Sequence, residues 1–235
     1  MFGQQLRRRP KENNFKAVLE TIRDVMNVAT VGKAIPPWLH DVFLGYGDAA
    51  AAHYKNLPAP YAQLRDIVFG DTFINGAHAL ASFPGQATVL LDERGEEVAT
   101  PASLLPPFRV RFEAGSSGDK SRDAERVVIM KQAPPPAGPY PEDIPRLNPV
   151  PFTPVQVEAI RSGVNPGLTL IVGPPGTGKT DVAVQIISNL YHNFPEQRTL
   201  LVTHSNHVCV NFCSLLSYVC VLSMCMDFVC HVHRR

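Results

Sequence analysis

The sequence predicts an α/β fold built around a phosphate-binding βαβ unit, with a β-rich module before it. Three observations lead to that prediction. An apolar run at 168–172 precedes a glycine-rich loop at 173–180, and residues 181–191 follow with a helical period. A second apolar run at 198–202 has the character of the strand that would close the unit. Between 61 and 132, short runs of β character are separated by turn residues.

The composition is that of a soluble globular chain. Of the 235 residues, 45% are hydrophobic and 18% are charged, and the formal net charge is +1. A charge so near zero excludes a strongly basic protein, so any contact with nucleic acid must be local. The length suits one or two domains, and the first residues lack the apolar core of a secretory signal.

The first part of the chain, residues 1–60, is predicted to be helical. Apolar side chains between 14 and 29 recur at helical spacing, and Asn13 or Asn14 can cap that helix. The proline pair that begins at Pro36 ends any helix that reaches it.

The module at 61–132 is predicted to be β-rich. Three runs in it are predicted strands: 87–91, 108–112 and 127–130. In the second run, apolar residues alternate with Arg109 and Arg111, which favours a half-buried strand with one solvated face. The alternative is that these two arginines contact an RNA backbone.

A proline-rich linker is predicted to join this module to the phosphate-binding domain. Nine prolines lie between 134 and 154, so an extended linker is predicted at 133–151 and the domain at 152–207. Thr153 is a good N-cap for the helix that opens this domain. The side-chain amide of Gln156 on that helix has the donor and acceptor needed to pair with an adenine edge.

The loop at 173–180, called the phosphate loop below, fits the pattern G-x-x-x-x-G-K-[ST]. Its glycines let the backbone turn tightly and bring N–H groups close to an anion at the start of the next helix. Lys179 can reach phosphates as a positive charge, and the Thr180 hydroxyl can hold Mg²⁺. The residues predicted to bind a nucleotide here are Gly173, Gly176, Thr177, Gly178, Lys179 and Thr180.

Polar residues follow the second predicted strand at its carboxyl end: Thr203, His204, Ser205 and Asn206. Ligands of open α/β sheets bind at that edge. Hydroxyl and amide donors suit a sugar-phosphate backbone, so these residues are candidates for a nucleic-acid contact. The alternative is an ordinary polar loop.

Together, the Gln156 helix, the phosphate loop and the strand end at 203–206 resemble the opening motifs of superfamily 1 nucleic-acid helicases. Five further segments resemble the spliceosomal RNA helicases of that superfamily that bind introns: 14–20, 38–40, 44–48, 138–141 and 180–186. The resemblance runs from about residue 12 to Asn206, with a divergent stretch near 85–130.

This resemblance implies an ATP-dependent RNA helicase of the nucleus that acts in pre-mRNA splicing. ATP and Mg²⁺ would be its cofactors, and intron RNA and spliceosomal proteins its partners. It implies a RecA-like P-loop parallel sheet at 152–207, incomplete because only the first βαβ is present. A stalk-like segment at 1–60 and an α+β, β-barrel-like module at 61–132 would precede that sheet.

The resemblance also implies roles for individual residues. Gln156 would read adenine, and Lys179 and Thr180 would act on the transferred phosphate, with Thr180 as a ligand of Mg²⁺. The residues that would touch RNA are Thr203, His204, Ser205 and Asn206.

The sequence departs from the family pattern after Asn206. The acidic residues that follow Lys179 are Asp181, Glu196 and Asp227, and none stands at the end of a third strand, where a carboxylate would hold Mg²⁺. We therefore expect very weak nucleotide binding and no hydrolysis from this truncated form. The alternative function is a non-catalytic module that docks on splicing partners or competes with the full-length helicase.

The last segment, 208–235, is predicted to be an apolar tail outside the family. It holds all five cysteines of the chain, and their spacing matches no paired zinc framework. A membrane span is long enough to fit, but Asn211 and Asp227 disfavour it. The favoured origin is a chain that is read past an exon boundary.

Overall fold

The computed structural model describes residues 37–114, 125–133 and 148–199, together with 19, 20 and 23, which are helical. The helices are α1 (Pro37–Leu44), α2 (Gly76–Ala81), α3 (Pro154–Val164) and α4 (Lys179–Asn193), with short 3-10 helices at Ala49–Ala52 and Pro101–Ser103. The strands are β1 (Asp66–Phe69), β2 (Ala87–Leu91), β3 (Phe108–Glu113) and β4 (Arg126–Lys131).

Several sequence predictions lie outside the described residues. These are most of the helix at 14–29, most of the linker at 133–151, the polar residues at 203–206 and the tail at 208–235.

The four strands form one mixed sheet in the order β1-β3-β4-β2. β3 lies antiparallel to both β1 and β4, whereas β2 runs parallel to β4. The strands predicted at 87–91, 108–112 and 127–130 are therefore confirmed. β1 and β2 form the two edges of this sheet, so the four described strands do not close a barrel.

One face of the sheet carries the core. Phe108, Val110 and Phe112 alternate along β3 and are buried, while Arg109 and Arg111 point to the other face. The buried set continues into the two long helices with Val157, Ile160, Val164 and Val182. The sheet and the helices α3 and α4 thus share one hydrophobic core, although the predicted linker separates them in sequence.

The strand predicted at 168–172 is not present. These residues form no strand, and no described residue from 148 to 199 pairs in a sheet. Leu170 is 78% exposed and Val172 is 92% exposed, while Ile171 packs against the core. A strand forms only where a neighbour supplies hydrogen bonds, and the predicted partner at 198–202 lies almost wholly outside the described residues.

The fold class is therefore mixed α/β, as predicted, but the described sheet lies at 66–131 and not beside the phosphate loop. The predicted parallel βαβ unit is not part of the described structure. Only its helix is formed, and α4 extends two residues beyond the predicted helix at each end.

Candidate functional site

The phosphate loop makes a tight turn into the N-terminus of α4. Gly176 has φ +79° and Gly178 has φ +70°, and Gly178 is the N-cap of the helix. A side chain in this left-handed region would cost about 1–2 kcal/mol, so the positions favour glycine. At Gly173 an added Cβ would lie 2.8 Å from the Thr177 hydroxyl. The glycine spacing of the sequence pattern is therefore what this backbone path requires.

The side chain of Lys179 folds back onto the backbone of the phosphate loop. Its ammonium donates to the carbonyl oxygens of Gly173 and Pro174, each at 2.7 Å. The Thr177 hydroxyl donates to the same Pro174 oxygen at 2.8 Å. A lysine ammonium has three donors, so two of them organise the loop and the third suits an anion in the turn.

The start of α4 adds backbone donors to this charge. The first intrahelical bond runs from the Val182 N–H to the Gly178 oxygen, at 3.0 Å. The N–H groups before Val182 therefore lack an intrahelical acceptor, and the helix dipole favours negative charge beside them. Thr180 is exposed in the same turn, and its hydroxyl is an oxygen donor of the type that Mg²⁺ accepts. The loop thus fits a phosphate and its metal ion chemically.

Gln156 lies against the phosphate loop. Its Oε1 accepts the Thr153 N–H at 2.8 Å, which together with the Thr153 cap completes a capping box on α3. Its Nε2 donates to the Thr177 oxygen at 3.1 Å. The Thr153 hydroxyl also donates to Oε1, at 3.2 Å, so both lone pairs of that oxygen are used and a contact with adenine would use the second N–H of the amide. The structure assigns Gln156 a further task, which is to tie α3 to the phosphate loop.

Arg109 and Arg111, the pair with an alternative RNA role, share an acidic partner. The Nε atoms of Arg109 and Arg111 lie 3.5 and 3.2 Å from the two carboxylate oxygens of Asp66 on β1. The Asp66 carboxylate thus offsets part of the charge of both guanidinium groups on this face. This placement favours the solvated strand face of the first interpretation.

The remaining predicted residues are not brought to the loop within the described part of the chain. Thr203, His204, Ser205 and Asn206 lie outside it. Asp181 and Glu196 are both exposed, Asp181 in the first turn of α4 and Glu196 after its last turn.

The described helices include none with the length and apolarity to cross a bilayer. The described His, Asp and Glu side chains form no group of three that would hold a metal ion, and all five cysteines lie outside the described residues.

Sequence reasoning missed the residues that fix α4 in place. The helix carries Gln185, Asn189 and Asn193 at four-residue intervals, and the structure places all three against β1 and the residues after it. The periodicity is visible in the sequence. A polar stripe on an amphipathic helix is normally assigned to solvent, so the signal points the wrong way.

Comparison with known proteins supports the helicase resemblance. Residues 152–225 match a protein family described as an AAA domain, a match that includes the first part of the predicted tail. The chain is 50% identical over 216 residues to "RNA helicase aquarius" of Mus musculus, covering 87% of this chain. It is 45% identical over 51 residues to "DNA polymerase alpha-associated DNA helicase A" of Saccharomyces cerevisiae, covering 22% of this chain. The chain spans 14% of the first relative and 8% of the second. The resemblance to an RNA helicase that the motifs predict is confirmed for this segment.

Proposed function

We propose that this chain is the nucleotide-binding segment of an RNA helicase, and that its phosphate loop binds ATP with Mg²⁺. The observation that carries the proposal is the position of the Lys179 ammonium, held by two carbonyls at the mouth of a loop of left-handed glycines. In this assignment Lys179 and the N–H groups of Gly176, Thr177 and Gly178 hold phosphate oxygens. Thr180 is the protein ligand of Mg²⁺, which neutralises phosphate charge when bound.

The wider role follows from the mouse relative, which is named as an RNA helicase. We assign RNA as the polymer that the full-length protein acts on, with Thr203, His204, Ser205 and Asn206 as candidate contacts. Intron binding in the spliceosome, with nuclear localisation, is the most specific form of this proposal. It is supported by the five motif segments that resemble spliceosomal helicases.

We also propose that these 235 residues by themselves bind nucleotide weakly and do not hydrolyse it. Phosphoryl transfer needs a carboxylate that holds Mg²⁺ and orients water. Asp181 and Glu196, the described acidic residues after Lys179, stand on the exposed first turn of α4 and beyond its end. RNA-stimulated release of phosphate from the purified chain would contradict this part of the proposal.

A binding titration with a matched control tests the main proposal. The full chain is titrated with a fluorescent ATP analogue and Mg²⁺, and Lys179→Ala is compared with Lys131→Ala. Lys131 is a suitable control because its ammonium also donates to two backbone carbonyls, those of Leu105 and Pro106, at 2.5 and 3.1 Å. A hydrogen bond to a charged group contributes about 1.5–3 kcal/mol, so Lys179→Ala should weaken binding about tenfold or more. Equal binding by the two variants would contradict the proposal.

A further inference from the structure

One face of α4 is polar and nevertheless buried. Gln185, Ser188 and Asn189 are 5%, 3% and 0% exposed. Asn193 continues the same stripe one turn later, since residues four apart lie on one side of a helix. A polar face of this kind is normally solvated, so its burial requires partners for every donor and acceptor.

The partners are backbone groups of Val68 in β1 and of Gly70, together with the hydroxyl of Thr72. The carboxamide of Asn193 accepts the Val68 N–H and donates to the Val68 oxygen, both at 2.8 Å. The side-chain oxygen of Asn189 accepts the Gly70 N–H at 3.1 Å. The Thr72 hydroxyl then donates to Gln185 at 3.3 Å and accepts from Asn189 at 3.2 Å.

The contacts at Val68 and Gly70 replace hydrogen bonds that a further strand would make beside β1. β1 is an edge strand, and β3 pairs with only one side of it, so alternate N–H and C=O groups face outward. Four residues of helix rise about 6.0 Å, while two residues of strand span about 6.6–6.8 Å. Asn193, Asn189 and Gln185 therefore meet residues 68, 70 and 72 in turn. The two asparagine amides take the place of a neighbouring backbone, while Gln185 bonds the Thr72 hydroxyl.

We propose that this amide stripe couples the phosphate loop to the edge of the sheet, with Asn189 and Asn193 as positioning residues. The inference rests on the proposed function. The stripe holds the C-terminal half of α4 on β1, while the first turn of the same helix carries Lys179 and the loop. A phosphate that fixes the first turn thereby steadies the contacts at Val68 and Gly70. Coupling between two sites is reciprocal. The factor by which bound nucleotide stabilises the contacts at β1 is therefore also the factor by which loss of those contacts weakens nucleotide binding.

The experiment replaces Asn193, at the end of the stripe far from the phosphate loop, and measures both nucleotide affinity and hydrogen exchange at β1. In the full chain, Asn193→Leu deletes the hydrogen bonds to Val68 and to the backbone oxygen of Asn189. Asn148→Leu is the matched control, because its carboxamide also accepts a backbone N–H, from Val150 at 3.1 Å, at an exposed site. Affinity for the fluorescent ATP analogue with Mg²⁺ should fall about fivefold or more in Asn193→Leu and stay unchanged in the control.

A second readout separates coupling from general loss of stability. In the unaltered chain, hydrogen exchange at the Val68 and Gly70 amides should slow when the analogue and Mg²⁺ are added, by a larger factor than at Ile129 in β4. Asn193→Asp keeps the acceptor for Val68 and turns the two donated bonds into repulsion between a carboxylate oxygen and the carbonyl oxygens of Val68 and Asn189, so it loosens the same contacts if Asn193→Leu does not fold.

The two proposals fail differently. If the unaltered chain binds nucleotide and the Asn193 variants bind it equally well, with no change in exchange at Val68 and Gly70, the coupling is refuted and the proposed function stands. If the unaltered chain binds no nucleotide, both are refuted.

Discussion

Arg161 gives the sharpest test of how the core is held together. Its side chain on α3 is 1% exposed, and its Nη2 atom lies 3.1 Å from a carboxylate oxygen of Glu125. The guanidinium also lies over the Phe112 ring, 3.5 Å from the centroid. Glu125 has a second partner in Arg65, at 2.6 Å. A buried charge thus joins α3 to the residue just before β4 and to the sheet face.

Replacing Arg161 with Ala should cost about 3 kcal/mol of unfolding free energy. Removing one partner of a buried ion pair costs about 3–5 kcal/mol. The lower value applies because Arg65 remains beside Glu125 and keeps that carboxylate paired. A domain of this size loses about 2–4 °C in Tm per kcal/mol, so the expected decrease is about 6–12 °C. Arg161→Met fills the same space over Phe112 and should recover part of the loss.

Urea unfolding at neutral pH, followed by circular dichroism, measures these differences. Lys55→Ala serves as the control, because the Lys55–Glu158 pair is exposed and joined at 3.2 Å. Exposed pairs contribute about 0–1 kcal/mol, so the control should change little. If Arg161→Ala also costs less than about 1 kcal/mol, the pair with Glu125 does not hold the core and the reasoning is refuted.

Two further predictions concern α4. A Cβ added at Gly163 would lie 2.4 Å from the Ile186 Cδ1 atom, so Gly163→Ala should cost up to about 2 kcal/mol, the overpacking cost less the helix-propensity gain of Ala. Ile186→Val deletes that atom but leaves Cγ1 at 2.8 Å, so in the double variant it should restore only part of the stability that Gly163→Ala loses. Burial raises the pKa of Asp71, while a hydrogen bond from Gln185 opposes the shift. The folded chain therefore loses stability as pH rises through that raised pKa, and Asp71→Asn should be the more stable form at neutral pH. The advantage should vanish below the ordinary pKa of an aspartate, as unfolding measured across pH will show; a constant difference would contradict this cause.

Local features of the fold and of the site follow from the sequence. The glycine spacing and Lys179 predict the phosphate loop, since the turn depends on residues within eight positions of each other. Thr153 predicts the start of α3, and it caps that helix in the structure. The strands at 87–91 and 108–112 follow from runs of β character. In each case the physical cause lies within a few neighbouring residues.

The strand expected at 168–172 shows where such reasoning stops. Its apolar residues are compatible with a strand, but pairing depends on a neighbour that is distant in sequence. Leu170 and Val172 are largely exposed in the described structure, although their run has the composition of a buried strand. The sequence pattern describes what a segment can do once a partner is beside it.

The sequence by itself determined the phosphate loop, the N-cap of α3 and the alternating strand at 108–112, because local sterics and short-range hydrogen bonds decide them. Only the tertiary structure decided what the polar side of α4 does. Asn193 and Val68 are 125 positions apart, and their bonds form because an edge strand has backbone groups that must be satisfied. Burying that stripe lowers the free energy of the folded state only when the sheet lies beside it. A local sequence pattern contains no information about that neighbour.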